Sequence, residues 1–368
     1  MKVVVAIDSF KGSLTSLQAG NAVRDAVCGL DASAEVVVKP LADGGEGTVE
    51  ALSASGQLVE VQVHGPLMQP VTAKYCILKD TAVIEMAAAA GITLITEKNP
   101  LETTTYGVGE LIRDAVGRGC RRFVVGIGGS ATNDGGTGML TALGYEFLDK
   151  NGASIALGAK GLKHLHRINR DKVLPELQAC TFRVACDVNN PLCGETGCSA
   201  VYGPQKGATP EMIADMDRWL LNYAELAGKD YIDHPGAGAA GGLGFAFLAF
   251  TNAALQSGIQ IVMEETGLEQ EIRDADMVVT GEGRLDGQTV MGKAPIGVAK
   301  LAKKHHKPVI AFAGCVTEDA TACNDHGIDA YFPILRGITT LEEALDPDTA
   351  YKNLYATACQ VFRLIRIK

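Results

Sequence analysis

The chain has 368 residues, of which 47% are hydrophobic and 21% charged, and its 33 basic and 43 acidic side chains give a formal net charge of −10. This composition is typical of globular proteins and excludes intrinsic disorder, collagen-like repeats and a basic nucleic-acid-binding surface. No apolar run is long enough to span a membrane, and the ten cysteines form no Cys-x-x-Cys pair, which indicates reduced thiols. Glycine is in excess: 43 of the 368 residues are glycine, which is about 12%, whereas an average chain has about 7%.

The beginning of the chain predicts a βαβ unit. Residues 2–7 and 35–39 are apolar runs typical of buried parallel strands, and residues 14–28 between them have helical apolar spacing. A glycine-rich turn then opens a helix near residues 47–54. Residues 58–85 differ, because three short segments with alternating polarity and Gly-Pro turns predict antiparallel strands.

From residue 107 to the end, predicted helices and strands alternate, which indicates parallel sheets. The helices are expected at 107–117, 136–143, 209–227, 241–256, 294–306 and 349–365, and the strands at 122–127, 181–188, 276–283, 308–314 and 330–335. The antiparallel segment lies between two such α/β blocks and suggests an inserted domain. We therefore predict one α/β domain of residues 1–60 and 258–368, and a second α/β domain of residues 61–257 inserted into it.

Polar, glycine-rich loops follow five of the predicted strands. They are residues 8–14, 42–48, 128–138, 186–192 and 281–289. Ligands of parallel sheets bind at the carboxyl ends of the strands, so this repetition favours a ligand site over five structural turns. If the two sheets face each other, these loops line one cleft.

Three segments have the spacing of phosphate-binding loops, and none of them is specific. Residues 126–131 fit a dinucleotide fingerprint after a strand, and residues 236–241 fit it without one, as expected by chance in a glycine-rich chain. Residues 287–293 have Walker A spacing, but Ala294 stands where that loop needs Ser or Thr for Mg²⁺. A nicotinamide-dependent oxidoreductase and a non-catalytic two-domain binder therefore remain alternatives at this point.

Eight sequence blocks resemble, in the same order, those of the type-1 glycerate kinases, the bacterial glycerate 2-kinase family. They are DSFKGSL, ADGGEGT, IEMAAAAGI, GIGGSATNDGGTGM, ACDVNNPL, GPQKGAT, GAGAAGGLG and TGEGRLDGQTVMGKAPIGVA. The resemblance implies ATP-dependent phosphorylation of D-glycerate to 2-phosphoglycerate with Mg²⁺. It also implies a Rossmann-like parallel-sheet domain with a second α/β domain inserted, and an active site in the cleft between them. The chain departs from the family at Ile7, where proline is usual, and at Gly287, where serine is common.

Roles for individual residues follow from strand-end position and from the needs of phosphoryl transfer. We predict Asp187 as the base for the hydroxyl proton, Lys206 as the neutraliser of the γ-phosphate, and Lys11 as an anion clamp. The alternative for Asp187 is a cap on the turn at Asn189–Asn190. The other expected contacts are substrate contacts at Asp8, Ser9, Arg284, Asn189 and Asp134, ATP contacts at Gly128, Gly129, Ser130, Thr132, Asn133 and Lys293, and Mg²⁺ ligands at Asp43, Glu46, Glu282 and Asp286.

These assignments imply small-molecule partners, D-glycerate and ATP, with Mg²⁺ as cofactor and with neither nucleic acid nor membrane as a partner. We expect a cytoplasmic monomer or small homo-oligomer.

Overall fold

A computed structural model describes residues 1–42, 47–53 and 56–367. Within these residues the strands are β1 (Lys2–Ile7), β2 (Glu35–Val38), β3 (Gln57–His64), β4 (Pro70–Leu78), β5 (Thr81–Glu85), β6 (Arg122–Gly126), β7 (Glu146–Leu148), β8 (Arg167–Asn169), β9 (Thr181–Ala185), β10 (Ala253–Gln256), β11 (Met277–Leu285), β12 (Val309–Val316) and β13 (Ala330–Pro333).

The α-helices of the same residues are α1 (Ser16–Leu30), α2 (Thr48–Ser53), α3 (Ala87–Ala90), α4 (Tyr106–Gly117), α5 (Thr137–Ala142), α6 (Ala159–Leu162), α7 (Cys198–Tyr202), α8 (Pro210–Ala227), α9 (Ala239–Phe250), α10 (Gly258–Glu265), α11 (Leu268–Arg273), α12 (Ala294–Lys304), α13 (Ala322–Asp325), α14 (Leu341–Leu345) and α15 (Pro347–Ile365). None of them is both long enough and apolar enough to cross a membrane.

The described residues divide into two compact units. The first unit comprises residues 1–42, 50–52 and 259–367, and the second comprises residues 47–49, 53 and 56–258. The boundary predicted at residue 60 falls inside β3, which lies wholly in the second unit.

The first unit contains a five-stranded parallel sheet in the order β13-β12-β11-β1-β2. Val3, Val5 and Ile7 of β1 are fully buried and share one hydrophobic cluster with residues of α1 and α15. Successive side chains of a strand point to opposite faces, and α12 packs against β11 and β12 outside this cluster. Helices on a parallel sheet explain why β1 is an unbroken apolar run rather than an alternating one.

The second unit contains a six-stranded mixed sheet in the order β10-β9-β6-β5-β4-β3. The predicted antiparallel segment is confirmed, because β3 pairs with β4 and β4 with β5 in antiparallel register. The next pairs, β5–β6, β6–β9 and β9–β10, are all parallel. Beside this sheet, β7 and β8 form a short antiparallel pair that the sequence pattern did not reveal.

The single buried helix predicted at residues 241–256 is wrong. The helix α9 ends at Phe250, where Thr251 is extended, and residues 253–256 form β10, which pairs with β9 at the sheet edge. At its start, Ala240, Gly241 and Gly242 are left-handed. Gly135 N donates to Gly241 O (2.9 Å), and a Cβ on Gly241 would collide with the backbone of residues 132–133. This backbone-to-backbone seam requires glycine because no side chain fits between the two segments.

Candidate active site

A cavity of about 460 Å³ opens in the first unit at the carboxyl ends of β1, β11, β12 and β13. Its charged lining side chains are Asp8, Lys11, Glu282, Arg284, Asp286 and Lys293. Two strand ends and one helix start thus meet at one place: the residues after β1, the end of β11 and the start of α12. The cavity brings together the predicted substrate contacts Asp8, Ser9 and Arg284, the predicted Mg²⁺ ligands Glu282 and Asp286, the predicted anion clamp Lys11 and the predicted ATP contact Lys293.

Glu282 lies near the end of β11 and is 9% exposed. The hydroxyl of Thr289 donates to its Oε1 (2.7 Å), and Lys293 Nζ lies 3.8 Å from Oε2. Burial raises the pKa of Glu282 to about 7, and Asp8 and Asp286 act in the same direction, while Thr289 and Lys293 oppose them. A carboxyl group with such a pKa in a cavity changes charge near neutral pH, which is typical of functional sites.

Asp286 follows β11 and forms the second carboxylate of this cluster. Its Oδ1 accepts hydrogen bonds from the backbone N of Gln288 (3.0 Å) and Thr289 (3.1 Å). Lys293 Nζ lies 3.4 Å from Oδ1, and Arg284 Nε lies 3.3 Å from Oδ2. Burial acts to raise the pKa of Asp286, but Lys293 and the two amides outweigh it and hold the pKa below its ordinary value.

Asp8 and Lys11 lie in the segment that follows β1. Asp8 is 8% exposed, its Oδ1 accepts from Ser9 N (2.7 Å), and its own N–H donates to Gly281 O (2.9 Å). Lys11 is exposed in the tight turn that Phe10 N and Leu14 O close (2.8 Å). One strand tip therefore carries a fixed carboxylate beside an accessible cation.

The residues of this cavity fit a magnesium ion that is held largely by substrate. Mg²⁺ prefers hard oxygen ligands, and in phosphoryl-transfer sites one or two carboxylates hold it together with waters and phosphates. Glu282 and Asp286 supply such oxygens. Among the described residues no group of three or more His, Cys, Asp and Glu side chains is arranged to hold a metal. The other two predicted ligands, Asp43 and Glu46, lie outside the described residues.

The predicted ATP contacts other than Lys293 lie in the second unit, in the loop between β6 and α5. Gly128 and Gly129 are exposed and Ser130 is half-buried, but Thr132 and Asn133 are wholly buried. Asn133 Nδ2 donates to Ser199 Oγ (2.9 Å), which anchors the loop to α7. Only residues 128–130 of the predicted set are therefore accessible to a ligand in this structure.

Lys206 is 2% exposed and lies behind that loop. Its Nζ donates to Ser130 Oγ and to Thr132 O, both at 2.7 Å. Burial lowers the pKa of Lys206 to about 8, because removal from water disfavours the charged form. These contacts make Lys206 a support for the loop that carries Ser130.

Asp134 is wholly buried in the same loop. Its carboxylate accepts from the backbone N of Thr105 (2.8 Å), Gly136 (3.0 Å) and Gly138 (3.2 Å), and from the hydroxyls of Thr104 and Thr105. Burial raises the pKa of Asp134, and the hydrogen bonds oppose that rise. This geometry favours a role in holding the loop to the start of α4, and gives no support to the predicted substrate contact.

Asp187 lies two residues beyond β9 and is exposed, as is Asn189. Both oxygens of the Asp187 carboxylate lie 3.3 Å from Gly258 N, the first residue of α10. The turn that follows is fastened by other groups, since Asn190 Nδ2 donates to Thr196 O and Tyr202 donates its hydroxyl to Asn190 Oδ1. Asp187 therefore sits at a strand tip, as predicted for a base, and its contact with Gly258 was not anticipated.

One side of the first-unit cavity was not predicted from the sequence. It is formed by Phe10 and by residues after β13, in α14 and in α15, among them Leu341, Leu345 and Asn353. A signal for α14 was present, because Thr340 and Glu343 form a capping box in which each side chain accepts from the other residue's backbone N–H.

A parallel sheet that gathers carboxylates and cations at its strand tips is the arrangement of an enzyme for small anionic ligands. The glycerate kinase family model matches residues 3–366. The chain is 48% identical to the glycerate kinase of Haemophilus influenzae over the whole of both chains. It is 47% identical to the glycerate 2-kinase of Escherichia coli, over 99% of this chain and 97% of the relative.

A crystal structure from Salmonella typhimurium LT2, provisionally assigned as glycerate kinase 2, matches with a TM-score of 0.91 at 46% identity. The match covers 100% of this chain and 98% of that chain. The chain therefore belongs to the glycerate kinase family, and it is a kinase.

Proposed function

We propose that the protein phosphorylates D-glycerate with ATP and Mg²⁺ and releases 2-phosphoglycerate. The observation that carries the proposal is the first-unit cavity, where Glu282 and Asp286 lie beside Lys293 and Arg284. Phosphoryl transfer needs positioning and charge neutralisation rather than covalent chemistry from the protein. The 2-phospho product is supported by the similarity to the Escherichia coli relative, which is a glycerate 2-kinase.

Lys11 and Arg284 are the groups we propose for binding the carboxylate of glycerate. Both are exposed at the cavity, and the planar guanidinium of Arg284 can bind a carboxylate through two parallel hydrogen bonds. Asp8 and Ser9 would orient the acceptor hydroxyls from the adjacent strand tip. In this proposal Asn189 is a further substrate contact, supported by its exposure at a strand tip of the second unit.

Glu282 and Asp286 are the side chains we propose as magnesium ligands, together with Asp43 and Glu46. Bound there, Mg²⁺ would neutralise charge on the phosphoryl oxygens. Lys293 forms ion pairs with both carboxylates. When a cation neutralises these carboxylates, Lys293 would be able to move toward phosphate.

Asp187 is the proposed base that takes the hydroxyl proton. Its exposed carboxylate at the end of a buried strand is positioned by the backbone of Gly258 rather than by a mobile loop. Lys206 and Asp134 fix the loop that carries Gly128, Gly129 and Ser130, and we propose that this exposed part of the loop contacts the phosphates of ATP.

The test is identification of the product by phosphorus NMR after incubation with ATP, D-glycerate and Mg²⁺. We expect the 2-phospho ester, with ADP release that depends on both glycerate and metal. A 3-phospho ester would overturn the regiochemistry, and undiminished turnover in EDTA would overturn the metal requirement. Reduction of NAD without ADP release would favour the oxidoreductase alternative, and tight glycerate binding without turnover would favour the non-catalytic binder.

A further inference from the structure

The first-unit cavity is larger and less polar than a three-carbon acid requires. Its volume of about 460 Å³ lies in the range of about 300–1,000 Å³ that is typical of sites for much larger ligands. The charged groups come from the ends of β1 and β11 and from the start of α12. The residues after β13 contribute Ile334 and Leu335, and α14 contributes Leu341 and Leu345.

The sheet order separates these two sides. The tips of β11 and β13 lie on either side of β12, so they are about 10 Å apart at ordinary strand spacing. A ligand that touches both must therefore be elongated, with one anionic end and one apolar end. Glycerate has only the anionic end.

The apolar side is exposed to an unusual degree. Leu341 is 75% exposed, and Leu335 and Leu345 are 37% and 38% exposed, although all three line the cavity. Large apolar side chains that remain exposed around a concave site mark a place where a ligand removes them from water.

Two polar groups that line the cavity have no hydrogen-bond partner among the described residues. The side chain of Asn353 makes no hydrogen bond within the described residues, and it lines the cavity one helical turn after Ala350 in α15. The hydroxyl of Ser13 is buried and makes no hydrogen bond to any residue that the structure describes. A carboxamide offers one donor and one acceptor side by side, which matches the edge of an adenine ring.

The geometry points to a purine subsite in the first unit: the base of ATP packs on Leu335, Leu341 and Leu345, its edge meets Asn353, and its phosphates extend toward Lys293. This inference rests on the proposed function only in taking ATP as the cosubstrate. It places the base away from residues 128–133, the segment that was predicted from the sequence to contact ATP.

Calorimetric titration of the full-length protein tests the subsite with two probes, Mg²⁺–ADP and Mg²⁺–tripolyphosphate. In Leu341→Ser we expect the Kd for ADP to rise about tenfold, because an apolar contact with the base is lost. In Asn353→Ala we expect a rise of about three- to tenfold. Neither variant should change the Kd for tripolyphosphate, which has no base.

Leu364→Ser is the matched control, because Leu364 is 64% exposed in α15 and does not line the cavity. Unchanged ADP affinity in both cavity variants would overturn the subsite. So would an equal loss of affinity for both probes, and so would a loss of ADP binding confined to Ser130→Ala.

Two exposed cysteines locate the bound base independently. Cys315 lines the cavity at the end of β12, whereas Cys28 lies in α1 away from it. We expect saturating ADP, and adenosine alone, to slow the alkylation of Cys315 by iodoacetamide while Cys28 reacts at its original rate, as followed by peptide mass spectrometry. Equal alkylation of Cys315 with and without nucleotide would overturn the placement.

These measurements separate the subsite from the proposed function. If glycerate is phosphorylated and the cavity variants bind ADP normally, the subsite is wrong and the function stands. If the variants lose ADP binding and no glycerate is phosphorylated, the subsite stands and the function is wrong.

Discussion

The charged cavity of the first unit and the glycine-rich loop of the second unit use the same residue types in opposite settings. In the cavity, the side chains of Lys293 and Arg284 are 38% and 62% exposed, and their ion pairs are 3.3 Å or longer. At the loop, Asp134 is wholly buried and Lys206 behind it is almost wholly buried, and protein donors and acceptors hold both side chains. Burial of a charge without partners is costly, so a buried charge is fixed, whereas an exposed one can move to meet a ligand.

The two regions therefore differ in what a substitution should change. Substitutions of side chains in the cavity should mainly change turnover. Substitutions of the buried side chains in and behind the loop should mainly change the free energy of unfolding.

The largest expected effect concerns Asp187, a group of the second unit that stays exposed. Asp187→Asn should lower kcat by about 10²- to 10⁴-fold, because the amide cannot accept a proton. The melting temperature should stay the same, since the remaining oxygen still accepts from Gly258 N. Steady-state kinetics and thermal unfolding check both results.

Asp187→Ala provides the contrast, because alanine removes the acceptor as well. If Asp187→Asn keeps its activity and only Asp187→Ala loses it, Asp187 positions Gly258 and is not the base.

In the cavity, Glu282→Gln should lower kcat/KM by at least about 10²-fold, because a proposed magnesium ligand loses its charge. The same change should alter the pH dependence of stability. The pKa of Glu282 is raised to about 7, so the native state binds the proton more tightly than the unfolded chain does. The free energy of unfolding therefore falls as the pH rises from the ordinary pKa of a glutamate toward 7. Glu282→Gln should remove that fall.

Urea unfolding across this pH range measures the effect of Glu282, and Glu35→Gln is the matched control, since Glu35 is exposed on β2. Normal turnover in Glu282→Gln would remove Glu282 from the magnesium site.

Behind the loop, Asp134→Asn should lower the free energy of unfolding by about 2–3 kcal/mol, because an amide N–H would face donors that need an acceptor. Chemical denaturation measures it, with Asp171→Asn as a control at an exposed position. A variant as stable as the parent with lost glycerate affinity would instead return Asp134 to the substrate contacts.

The smallest effect concerns Lys206. Its pKa is lowered to about 8, so the unfolded chain binds the proton more tightly than the native state does. The free energy of unfolding therefore rises as the pH increases from 8 toward the ordinary pKa of a lysine. Lys206→Met should abolish this rise, as measured by unfolding at several pH values. If the free energy of unfolding of the parent and of Lys206→Met depended on pH in the same way, Lys206 would be charged and solvated in the native state.

Much of this architecture could be predicted from the sequence, because strands such as β1 and β6 are buried apolar runs followed by polar segments that contain glycine. The polar residues after β1 and β11 were predicted to form part of a ligand site, because parallel strands place their carboxyl ends on one edge of the sheet. The burial of Asp134 could not be predicted, because its donors include Thr104 and Thr105, thirty residues earlier in the chain. The strand β10 was missed because it has only four residues, three of them apolar, and so short a run after a buried helix shows no period of its own.

The seam between residues 132–135 and Gly241 also has a consequence for the order of folding. Its two sides are separated by more than one hundred residues, and the backbone makes the contact between them. Closing so long a loop costs chain entropy before any contact compensates for it. During synthesis, the segment that begins at Gly128 must therefore wait until α9 has left the ribosome, and the second unit completes its core only then.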